Sequence, residues 1–182
     1  MNESKYEQVL SFWFQEIEPE QWWKKDEHFD QIIKERFGEL HAQAVKGELF
    51  SWRRHIRGRL AEIIILDQFS RNIFRDKPES FAFDGMALVL AQEAVATGKC
   101  NELTPVERSF LYMPYMHSES LVIHENAVKL FADNGIESNY QFELQHKVII
   151  ERFGRYPHRN AILGRESTEE ELTFLQQPNS SF

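Results

Sequence analysis

FDQIIKERFGELHAQAVKG, residues 29–47, sets Phe29, Ile32, Ile33, Phe37, Leu40 and Ala44 three or four positions apart. That spacing returns an apolar side chain to one side of a 3.6-residue helix at every turn, and Gly47 beyond it is a helix stop. Further along, Leu60, Ile63, Ile64, Asp67 and Arg71 continue the same spacing, which predicts one helix from about Arg57 to about Asn72. No segment shows the every-second-residue alternation of a half-buried strand, so the fold class is all-α.

Start and stop signals extend this reading to about eight helices. Ser4 with Glu7, Ser138 with Gln141 and Ser167 with Glu170 have capping-box spacing, and Thr104, Pro105 and Glu107 combine a cap, a first-turn proline and a capping-box acid. Gly98 closes a helix over 81–96, Asn134 and Gly135 close one over 121–131, and Gly154 closes one over 140–153. The helix that begins after Thr104 is expected to end or kink at Pro114, and one over 168–177 to stop at Pro178.

At 182 residues the chain is expected to form one domain, 1–182, which at this size buries roughly two thirds of its unfolded surface. Trp13, Trp22, Trp23 and Trp52 are expected in the core or at helix contacts. Cys100 is alone, which excludes a disulfide framework. No basic region precedes an apolar run at the start, and no stretch approaches membrane-spanning length, so a soluble cytoplasmic protein is expected. A formal net charge of −8 argues against nucleic-acid binding, which draws on many phosphate-neutralising Lys and Arg. No oligomeric state follows from the sequence.

Two segments carry polar groups into apolar surroundings. In LDQFSRN, residues 66–72, Asp67 and Arg71 are four apart on the face that Leu60 and Ile64 define, with Gln68 and Asn72 on a neighbouring face. Asp67 is either a carboxylate at a pocket rim, held by Arg71, or half of a buried ion pair. In FGRYPHRNAILGR, residues 153–165, a glycine stop and Pro157 present Arg155, His158, Arg159, Asn160 and Arg165 on a stiffened turn. Planar guanidinium groups bind carboxylate or phosphate through two parallel hydrogen bonds, so an anion is the expected ligand. Some of these arginines have a purely structural alternative, pairing with Asp67, Glu119 or Glu151.

His117 and Glu119 sit beside a helix start and form a candidate acid–base pair, since imidazole titrates near neutrality. His146 falls on the stripe of Phe142, Ile149 and Phe153, where it is either a core residue or a partner for His117. Two histidines with Glu119 or Asp67 have donor types for a divalent metal, but no paired ligand spacing such as His-Glu-x-x-His is present, so no metal or cofactor is expected. No activated nucleophile is visible: Cys100 lies in a loop and no serine in a recognisable elbow.

With LSFWF, LDQFSRNIFR, the HSE of residues 117–119, and ERFGRYPHRNAILGR followed by STEEE, the chain resembles the bacterial domain-of-unknown-function family 924 over nearly its whole length. The resemblance implies a tetratricopeptide-like fold of stacked antiparallel helical hairpins with a concave face. It brings no activity, and its motif positions fall on Asp67, Gln68, Arg71, Asn72, His117, Glu119, His146, Arg155, Pro157, His158, Arg159, Asn160 and Arg165.

Three functions follow. The first is a pocket for a small anionic ligand or substrate, with Gln68, Arg71, Asn72, Arg155, His158, Arg159, Asn160 and Arg165 as binding residues. Asp67, His117, Glu119 and His146 are then the acid–base candidates. The second is a tetratricopeptide-like module whose two Arg-Asn pairs grip a peptide carboxylate. The third is a polar network that only fixes one packing among similar apolar helices.

Overall fold

The computed structural model describes residues 4–182, and among these there are helices and turns but no strand. The segments are α1 (Lys5–Ser11), α2 (Glu27–Val45), α3 (Ile56–Ile64), α4 (Ser70–Ile73), α5 (Asp84–Ala96), α6 (Pro105–Met116), α7 (Leu121–Asn134), α8 (Glu137–Phe153), α9 (Asn160–Leu163) and α10 (Glu169–Leu175). Asp26 starts α2 by accepting hydrogen bonds from the His28 and Phe29 backbone N–H groups. The 29–47 stripe packs as its spacing predicts, with Phe29, Ile33, Phe37 and Ala44 buried.

At the centre lies α3, whose Leu60, Ile63 and Ile64, with Ile65, Leu66 and Phe69 beyond it, are inaccessible to solvent. A segment apolar on every side must be covered on every side. Here α1, α2, α5 and α6 cover it, while α5 to α8 pack each on the next through short connections. A smaller cluster of Ile149, Ile150 and Tyr156 with Phe153 and Phe174 joins α8 to the C-terminal segments.

Several local expectations are corrected. The expected helix from Arg57 to Asn72 is broken by a π-helical turn over Ile65–Phe69, which inserts a residue and changes the direction in which the later side chains leave the axis. Pro114 neither ends nor interrupts α6, because Phe110, Leu111, Met113 and Met116 are all buried on it and the His117 N–H returns to the Met113 carbonyl. The box at Thr104 and Glu107 forms, whereas the C-terminal box uses Thr168 and Glu171, one residue after the expected pair. Ser4 precedes α1 without a side-chain cap, Glu7 being held by Arg57, and Ser138 lies inside α8. Trp23, 64% exposed, meets its expectation as a helix contact, lying flat on Phe110 of α6.

Candidate functional site

The π turn delivers Asp67 to a polar cluster while keeping it wholly buried. One oxygen, Oδ1, meets the His117 Nδ1 at 2.7 Å, and the other accepts from the Gln68 amide at 2.8 Å. Arg71 donates to the Asp67 backbone carbonyl at 2.8 Å but stands 3.5 Å from its carboxylate. Its stronger partner is Asp84, at the start of α5, held through two bonds of 2.8 and 3.0 Å. Such a fork is the strong form of an arginine–carboxylate contact.

Arg159 approaches Asp84 from the other side, at 3.5 Å, and donates to the His117 carbonyl at 3.0 Å. Its guanidinium sits between the Phe81 and Tyr156 rings, 4.6 and 4.7 Å from their centroids, which fixes its plane. The residue is only 6% exposed and its Nε is buried without a hydrogen-bond partner. Arg159, Asp84, His117 and Glu119 line a cleft of about 660 Å³ whose other walls include Phe81 and Pro114. The His117 side chain keeps 17% of its surface accessible.

Electrostatics divide the roles. Burial pushes the His117 imidazole below its usual range, and the neighbouring Arg71 adds to this, against the opposing pull of Asp67. Burial works to raise the Asp67 carboxyl, but His117 and Arg71 beside it hold it below its usual range. A neutral imidazole facing an ionised carboxylate carries its proton on Nδ1, which leaves Nε2 with a lone pair. This is the arrangement of a general base and its orienting acid. Burial, with Arg71 nearby, also lowers Arg159, while it raises the Tyr156 hydroxyl.

The remaining predicted residues surround this cluster. Arg165 holds Glu119 through two bonds of 2.8 and 2.9 Å, and Glu119 also accepts the Tyr156 backbone N–H at 2.8 Å. Arg155 forks onto Glu171, and Asn160 bonds Ser167, Glu171 and Arg165. Asn72 donates to Asp30, which is also held by Arg75. The two arginines of the Arg-Asn pairs therefore converge on Asp84 while the two asparagines diverge. His146 bonds the Phe142 carbonyl and stacks on Phe182, and the buried Nδ1 of His158 has no partner. Burial takes His146 down to about 3 and His158 to about 4.

Three contributors escaped the sequence reading. Asp84 is an acid in the first turn of a helix, ordinarily a helix-dipole residue, and nothing in its neighbours shows that two arginines reach it. His124 and Glu143 meet at 2.7 Å in full burial, and His124 Nε2 reaches the Ser118 carbonyl at 2.7 Å. Together with Tyr156, whose hydroxyl donates to the Met116 carbonyl at 2.5 Å, they pin the turn that carries His117 and Glu119. Among the described residues no group of three or more His, Cys, Asp or Glu is arranged to hold a metal. No helix among them is long and apolar enough to cross a membrane.

Fold and site together define an all-α protein whose central helix delivers a buried Asp–His pair to a cleft lined by a buried arginine. The chain belongs to the family described as bacterial protein of unknown function (DUF924), whose model matches residues 9–179. A solved structure, that of the protein of unknown function ATU0120 from Agrobacterium tumefaciens, is similar to it at 35% identity and a TM-score of 0.89. The similarity covers 94% of this chain and 96% of that one. No curated protein matches.

Proposed function

We infer that the protein binds a small anionic molecule in the cleft between the start of α5, the end of α6 and the 157–163 turn. Arg159 anchors the anion, and the Asp67–His117 pair accepts or returns a proton on the bound molecule or on a water beside it. One observation carries this. Arg159 is a buried cation on the cleft wall whose nearest carboxylate, Asp84, already has both oxygens committed to Arg71, and whose Nε has no partner. A buried guanidinium whose donors are incompletely paired and whose nearest carboxylate is shared with a second arginine is costly, and an incoming anion supplies the acceptor it lacks.

Arg155, Arg165, Asn160 and Asn72 act as braces in this scheme, since each is engaged within the protein. A joint grip on a peptide terminus by both Arg-Asn pairs gains no support from asparagines that diverge.

A thermal-shift series of wild type and Arg159→Met against small carboxylates and phosphate esters tests the assignment. Methionine keeps an unbranched apolar body between Phe81 and Tyr156 and removes the charge together with the hydrogen bond to the His117 carbonyl. An anion at about a hundred times its dissociation constant stabilises the wild type by about 2.7 kcal/mol and leaves the variant unmoved. If no anion shifts the wild type while Arg159→Met alone lowers stability by several kcal/mol, the cluster is a packing network and the pocket assignment is withdrawn.

A further inference from the structure

The charges around the cleft restrict what it can hold, given that it is an anion site as proposed above. Arg71 and Arg159 contribute two positive charges, and Asp67 and Asp84 two negative ones, all within one contiguous set of contacts. Glu119 and Arg165 cancel each other in their fork, and Glu79 on the wall adds a further negative charge. His117 completes the set as a neutral ring.

Among the buried groups the charges are thus balanced before a ligand arrives, Glu79 being exposed on the rim where water and salt screen it. A monoanion beside Arg159 introduces one excess negative charge, and the nearest group able to offset it is His117, whose carbonyl Arg159 already holds at 3.0 Å. The titratable and charged groups facing His117 are Asp67 and Arg71 from the π turn and α4, Asp84 from α5, and His146, His158 and Arg159 from α8 and the turn after it. Among the three histidines here, only His117 combines an orienting carboxylate on Nδ1 with exposure to the cleft. A proton on Nε2 restores neutrality and gives the anion a second donor. A dianion leaves one charge uncompensated even then, among Asp84, Glu79 and Glu119. The apolar walls of Pro78, Phe81, Leu88, Pro114 and Leu163 suit a hydrocarbon body rather than a polyol.

We propose that the cleft takes a monocarboxylate with an apolar body, and takes it together with one proton on the His117 imidazole.

Titration calorimetry with straight-chain carboxylates from acetate to decanoate, benzoate, phthalate and phenyl phosphate tests this, in two buffers of unlike protonation enthalpy. The monocarboxylates bind more tightly as the body lengthens, outcompete the dianions, and take up close to one proton each. Their affinity falls about tenfold per pH unit once the free ring is neutral. His117→Gln binds more weakly than wild type at acid pH, with no proton uptake and a flat pH profile. Dianions that bind as tightly, or monocarboxylates that bind without proton uptake, overturn the charge assignment while leaving the cleft an anion site. If none of these anions binds wild type, the anion pocket falls with it.

Discussion

His117 and Asp67 face each other at 2.7 Å across fifty residues of sequence, the ring coming from the end of α6 and the carboxylate from the π turn that follows α3. Asp67→Asn keeps the shape of that contact but removes the charge that selects the Nδ1 proton. With Arg71 and His117 left facing a neutral amide, the loss is about 3 kcal/mol by urea denaturation, at the lower end of what breaking a buried charge pair costs. Nitrogen NMR of the labelled histidine should show the proton moving from Nδ1 to Nε2. A loss below about 1 kcal/mol with an unchanged tautomer would remove Asp67 as the orienting group.

Acid sensitivity should begin at histidine rather than carboxylate pH. His146, down to about 3, and His158, down to about 4, are neutral in the native state, while the unfolded chain protonates them near 6.5. Above that pH neither form is charged and their contribution to stability is complete. Below it the unfolded state binds protons the native state refuses, and stability falls as pH drops towards the native values. Each residue contributes up to about 1.4 kcal/mol per pH unit, so the pair gives a slope of nearly 3 between roughly pH 6 and 4. Glu171, lowered to about 2 by Arg155, adds a loss only below its ordinary range. Urea midpoints at pH 7.5, 6.5, 5.5 and 4.5 measure this, and His146→Phe should remove about half the slope. Stability that is flat from pH 7 to 5 is incompatible with the buried neutral rings.

How much of this was legible turns on what each residue reveals locally. The helices around Phe29–Ala44 and the stops at Gly135 and Gly154 follow from periodicity and from left-handed glycine conformations, with φ of 80° and 69°, so the sequence shows them. The π turn has no such signature. Its residues are as apolar as a regular helix demands, and the extra residue is set by packing on every side. Asp67 and Arg71 stood out because charge on an apolar stripe is conspicuous, but their partners His117 and Asp84 lie on other helices. Sequence spacing ranks pairs within a helix and is silent about pairs between helices. It therefore drew attention to the Asp67–Arg71 contact, at 3.5 Å, and missed the Arg71–Asp84 fork.

The proton count on His124 makes a separate prediction. Its Nε2 faces the Ser118 carbonyl, which can only accept, so Nε2 bears a proton. An ionised Glu143 opposite a neutral ring would then set two lone pairs against each other at 2.7 Å, and the contact requires a second proton. Burial raises the Glu143 carboxyl, and its Oε2 has no partner, which a carbonyl oxygen tolerates better than a carboxylate oxygen. The prediction places that second proton on Glu143, which then donates to Nδ1. Glu143→Gln, whose amide donates in the same place, should cost less than about 1 kcal/mol, whereas Glu143→Leu strands the ring nitrogen at about 1–3. Equal losses for the two variants by chemical denaturation contradict the neutral assignment.

Two glycines inside helices should respond to alanine with opposite signs. Alanine is favoured over glycine in a helix interior by up to about 1 kcal/mol, through the entropy of the unfolded chain and the exposed backbone. At Gly38 in α2 an added Cβ meets nothing within 4 Å, so Gly38→Ala realises that gain. At Gly58 in α3 the same atom would stand 2.2 Å from the Trp52 carbonyl oxygen and 2.9 Å from its carbon. Those are backbone atoms in the turn over Phe50–Arg54, which Arg53 ties to the buried Glu62 through two bonds of 2.8 and 2.7 Å. The turn cannot yield by a rotamer change, and overpacking of this kind costs about 1–3 kcal/mol, occasionally more. Because the overlap is deep, it exceeds the propensity gain, and Gly58→Ala loses about 2 kcal/mol net while Gly38→Ala becomes more stable. Thermal and urea unfolding of the two variants side by side decide the matter. A stabilised Gly58→Ala would mean that the 50–54 turn is free to move away from α3.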